Sequence, residues 1–150
     1  MEWNKDNSLR LSKICIYMFT VAMIIILLFA PKIFSVLIEL RVNYLGGTLP
    51  YFLASTYIAS IPAAIALAGL HKLLSNIEKG DVFIYRNVRI LRMLSWCCIF
   101  AGVICLASSL YYMPFLIIAA AAGFVGLILR VVKNVFAQAV EIKNDNDYTI

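Results

Sequence analysis

Uncharged, largely apolar residues run through this chain in three long stretches separated by short basic segments. The first stretch, Ile14 to Pro31, holds eighteen residues. As a helix it is about 27 Å long, close to the ~30 Å of a bilayer's hydrocarbon core. The second runs from Val42 to Leu70, and Gly46, Gly47 and Pro50 break its front end, leaving a span from Tyr51. The third, Met93 to Leu129, holds thirty-seven residues. One helix of that length would reach about 55 Å, more than a single crossing needs. Pro114 stands near its middle and cannot continue a helix without losing a hydrogen bond, so two spans joined by a tight turn are predicted.

The predicted fold is all-α: a polytopic membrane protein built as a four-transmembrane-helix bundle, one integral domain over residues 1–150. Its spans are expected at 13–31, 51–72, 91–111 and 115–133. A connection follows at 73–90 and a C-terminal helix and tail at 134–150. Ile24 to Phe29 and Phe115 to Ala122 are continuous apolar runs, without the period-two alternation of a barrel strand. Ile33, Val36, Leu37 and Leu40 recur at helical spacing beyond the first span, which favours an interfacial helix there. Pro62 is expected to kink the second span and free a carbonyl for a neighbouring hydroxyl.

Lysine and arginine orient the bundle. The N-terminal tail, the 73–90 connection with its flanks and the C-terminal end carry eleven of the thirteen, against Lys32 and Arg41 elsewhere. Both termini and the middle connection are therefore expected in the cytoplasm. The net charge of +5 then belongs mostly to one face, drawn to anionic lipid headgroups rather than to nucleic acid. Composition agrees with the spans: 63% hydrophobic and 14% charged residues leave too little polar surface for a water-facing globule. The first apolar stretch exceeds a signal-peptide core, and Phe29-Ala30-Pro31-Lys32 lacks a small-x-small cleavage site, so an uncleaved anchor is expected. Tyr51, Tyr111 and Tyr112 mark the predicted outer interface and Trp96 the inner one.

No catalytic constellation is visible. Cys15, Cys97, Cys98 and Cys105 fall inside spans and read as small packing residues. His71 could approach Cys97 and Cys98, but one histidine without a C-x-x-C spacing makes a poor zinc site, so no metal is expected. No Asp, Glu, Lys or Arg lies mid-span, where coupled transporters carry such groups. Hydrolase, P-loop and zincin motifs are missing too, so neither enzymatic activity nor a cofactor is expected. Polar residues within the spans include Thr20, Ser55, Thr56, Ser60 and Ser95.

Two features point to contacts. In span four, Ala119 with Gly123 and Ala122 with Gly126 form overlapping small-x-x-x-small pairs, suited either to packing within the bundle or to a homo-oligomer face. In the 75–92 segment, Gly80 suits a helix C′ position and Asp81 a following N-cap. Arg86, Arg89 and Arg92 then recur along one side, either as headgroup-level topology signals or as a docking site for an acidic partner. Asp145, Asp147 and the chain end supply acidity in the same chain, and the tail is expected to fold back on these arginines.

Gly80-x-x-Phe83-x-x-x-Asn87-x-x-x-Leu91-Arg92, followed by Phe136-x-x-Ala139-x-x-Ile142-x-x-x-Asn146-Asp147-x-Thr149-Ile150, resembles a family of small four-span bacterial membrane proteins, the YoaS-like domain of unknown function. Asp145 matches the acidic residue the family favours before Asn146; Tyr148 departs from its usual Leu. Members are often encoded beside a small Cro/CI-type helix-turn-helix regulator. The resemblance therefore implies a regulatory protein of the bacterial plasma membrane with a soluble helix-turn-helix partner, and supplies no catalytic residues. Its motif positions are the expected partner contacts. A small oligomeric transporter, channel or resistance/immunity factor is the alternative.

Overall fold

The computed structural model describes residues 5–148, with side chains over 7–42 and 45–146. Helix α1 runs Lys5–Glu39, α2 Val42–Leu45, α3 Leu49–Glu78, α4 Tyr85–Ser108 and α5 Phe115–Tyr148, with no strand among the described residues. Four of these helices are long and apolar enough to cross a membrane. The chain is thus an all-α, multi-pass membrane protein.

The long helices pack in chain order: α1 on α3, α3 on α4 and α4 on α5. This order gives α3 and α4 a long helix on either side, and α4 is the span with the largest buried share. Its Ile90, Leu91 and Leu94 form the core, met by Ala66 and Leu73 from α3 and by Leu129, Val132 and Phe136 from α5. At the opposite end, Phe52 is the hub of an aromatic cluster with Phe34, Tyr111, Tyr112 and Phe115. The outer helices keep their apolar side chains exposed, Leu28 at 72% for example, as a lipid solvent permits.

Two local expectations are corrected. Residues 33–39 extend α1 rather than forming a separate interfacial helix. Pro31 has no N–H to offer the Leu27 carbonyl four residues back, and the Tyr57 hydroxyl of α3 donates to that oxygen instead, at 3.2 Å. With the freed acceptor satisfied and the apolar spacing in phase on both sides, the helix carries on. Asp81 does not cap α4: the helix opens at Ile84 in an extended conformation, without a side-chain cap bond. Residues 134–148 continue α5, and the expected return of the acidic tail to the arginines falls on Asp147 and the chain end, outside the described side chains. Pro62 lies inside α3.

Candidate functional site at the charged end of the bundle

The α3–α4 connection is built with little freedom. Gly80, at φ +86°, ends α3 in a left-handed conformation that suits glycine. The Asp81 N–H donates to the Asn76 carbonyl and the Gly80 N–H to Ile77, the paired bonds of a Schellman motif. Asn87 then ties the loop to both helices. Its Nδ2 donates to the carbonyls of Asp81 at 2.7 Å and Val82 at 2.8 Å, while its Oδ1 accepts from Asn76 Nδ2 at 2.7 Å. The Asn87 side chain is 0% exposed. A buried amide with all these bonds made is a structural clamp, since leaving them unmade costs the full desolvation of each group.

Helix α5 meets this connection outside the predicted span. The rings of Phe83 and Phe136 lie 5.6 Å apart, and Val140, one turn further on, is 1% exposed. The two segments that carry the family resemblance therefore come together, 53 residues apart in sequence (136 − 83). The motif divides by role. Asn87 and Leu91 are buried, Phe136 and Ala139 half-buried, and Phe83, Gly80, Arg86, Arg89, Arg92 and Asn146 exposed. Thr149 lies outside the described residues, and Asp147 outside the described side chains. Arg86, Arg89 and Arg92 have no ion-pair partner among the described residues. The ion pair at this end joins Lys13 of α1 to Glu78 of α3. Both of its side chains are partly exposed, so it contributes only about 0–1 kcal/mol.

Ala119, Ala122 and Gly126 of span four lie against α4. A Cβ on Gly126 would stand 3.1 Å from Ile99 Cγ1 and 3.3 Å from the Ser95 carbonyl. Ser95 Oγ donates across the seam to the Gly126 carbonyl at 2.8 Å. On α4, Gly102 approaches the backbone of Ala119 and Gly123 and the methyl group of Ala122. Ala119, Ala122 and Gly126 thus line the α4–α5 seam, whereas a Cβ on Gly123 would meet nothing within 4 Å. Gly102 and Gly69 were not singled out, although Cys98 and Gly102, four apart, make a small-x-x-x-small pair that the cysteine disguises.

A lateral cleft of about 570 Å³ opens between α1, α3 and α4. Ser55, Thr56, Ser60 and Ser108 are its hydroxyl groups. Ser55 is bonded to Tyr111 Oη, while Ser60 and Ser108 donate to carbonyls of their own helices. Those three hydroxyls are therefore already engaged. His71 stacks edge-on against Tyr17, and no group of three His, Cys, Asp or Glu side chains converges on a metal-sized site among the described residues. The four cysteines are free thiols.

Searches of curated proteins and of solved structures find no match to this chain. A family model does match, over residues 6–150, and covers all four spans together with both motif segments. The chain belongs to the protein family of unknown function DUF2975.

Proposed function

We propose that this is a non-enzymatic regulatory protein of the bacterial plasma membrane, with both termini cytoplasmic, whose charged end docks a soluble protein. The observation that carries this reading is the meeting of the 80–92 segment with the α5 extension at Phe83 and Phe136. The two form one surface beyond the apolar spans, stiffened from beneath by the Asn87 clamp. A rigid surface binds at lower entropic cost than a flexible loop, and Asn146 and the exposed Phe83 give it mixed polar and apolar character. A small helix-turn-helix regulator is the partner that the family resemblance favours. To test the reading, the full-length protein is drawn from its native membrane in mild detergent and co-purifying proteins are identified by mass spectrometry. A version lacking residues 145–150 is run in parallel. A soluble regulator that is present with the full chain and depleted with the shortened one is the expected result; its absence from both preparations sinks the reading.

The lateral cleft supports a second reading, a small oligomeric transporter, channel or resistance/immunity factor. Engagement of its hydroxyls by intramolecular bonds weighs against a hydrated pathway. Substrate-dependent flux in liposomes would restore that reading.

A further inference from the structure

The seam between α3 and α4 opens at the charged end into a groove of about 450 Å³. Its polarity is graded along the membrane normal, and two cross-seam contacts set the levels. Asn76 is bonded to Asn87, and a Cβ on Gly69 would meet Met93 Cε. Because α3 and α4 run antiparallel, Arg86 stands outermost, Lys72 and Arg89 share the next level, Gly69 and Met93 the next, and Ile65 lies deepest. Seven residues separate Arg86 from Met93, a descent of about 10 Å from cations to hydrocarbon. Lys72, Arg86 and Arg89 have no ion-pair partner among the described residues. Gly69 lets the two helices close under the groove, so its floor is apolar and continuous.

A flat basic face draws anionic headgroups without selecting any one lipid. A groove with three cations at its mouth and an apolar slot below them matches an amphiphile of one polarity and one orientation. We propose that it holds a single anionic diacyl phospholipid, its phosphate against Lys72, Arg86 and Arg89 and an acyl chain along Gly69, Met93 and Ile65. This inference goes beyond the docking of a soluble partner and stands without it.

Native mass spectrometry of the full-length protein, with added dioleoyl phosphatidylglycerol or dioleoyl phosphatidylcholine, tests the assignment. One phosphatidylglycerol should bind about tenfold or more tightly than phosphatidylcholine, and each groove cation replaced by Gln should lower that preference about fivefold. A control replacing Arg10, Lys133 and Lys143 with Gln should keep it. Equal loss in the control would reduce the effect to bulk charge and overturn the proposal, as would equal binding of the two lipids. If the groove variants fail to fold, Ala68→Leu decides. It fills the slot with every cation in place, so phosphatidylglycerol binding must fall, and unchanged binding overturns the site. Displacement of the lipid by millimolar inorganic phosphate alone would also overturn it, because the apolar half would then contribute nothing.

Discussion

Asn87 makes three hydrogen bonds from a site that no solvent reaches, and two substitutions separate its role as donor from its role as acceptor. Asn87→Ala strands the Asn76 amide and two loop carbonyls, and should cost about 1–3 kcal/mol. Asn87→Asp should cost more, since a carboxylate can still accept from Asn76 but meets the carbonyls of Asp81 and Val82 without a proton to give. Thermal unfolding in detergent should rank wild type above Ala and Ala above Asp, and equal melting temperatures would remove the clamp. A second single-atom effect joins Pro31 to Tyr57. Removing the hydroxyl in Tyr57→Phe leaves the Leu27 carbonyl unpaired and should cost about 1 kcal/mol. In a Pro31→Ala background the backbone N–H returns to that carbonyl, so the same Tyr57→Phe change should be nearly neutral. A double-mutant cycle reads this directly, and additivity would show that Tyr57 does not serve the proline.

At the level of helices, the α4–α5 seam depends on closeness more than on its polar bond. Ser95→Ala removes one interhelical hydrogen bond, worth about 0.6 kcal/mol in a bilayer. Gly126→Leu inserts a side chain where even a Cβ would sit 3.1 Å from Ile99, and should cost about 1–3 kcal/mol. Unfolding in mixed micelles should therefore show the glycine change as the larger of the two by a clear margin. The reverse order would mean that the helices can part without penalty. Much of this seam was legible: the Ala119, Ala122, Gly123 and Gly126 stripe announces a close approach. Its partner helix was not legible, because small residues state how near another helix can come and not which one comes.

For the whole molecule, the clearest prediction is topological. In a background without native cysteines, Ser8→Cys and Lys143→Cys should resist a membrane-impermeant maleimide applied to intact cells, while Gly47→Cys should react. All three positions are exposed. Labelling at either terminus in intact cells would invert the arrangement and move the charged end outside. The open chain-order packing also leaves α1 held by few polar ties, chiefly Tyr57 to Leu27 and Lys13 to Glu78. Lys13→Gln should accordingly change stability by less than about 1 kcal/mol in the same unfolding assay.

The number of spans, their order and the asymmetry of charge were readable from the sequence alone, because a bilayer selects helices by length and apolar content and sorts their ends by Lys and Arg. The Gly80 turn was readable too, since few residues other than glycine accept its backbone. Only the tertiary structure decided that Pro31 leaves α1 unbroken, that Asn87 points inward and that Arg86 and Arg89 share a groove with Lys72. Each depends on a partner distant in sequence: a hydroxyl on α3, an amide beyond the loop, the neighbouring wall of a helix. Periodicity reports which face of a helix is apolar. It takes the packed fold to bring the face opposite into contact, and with it the chemistry that the two faces share.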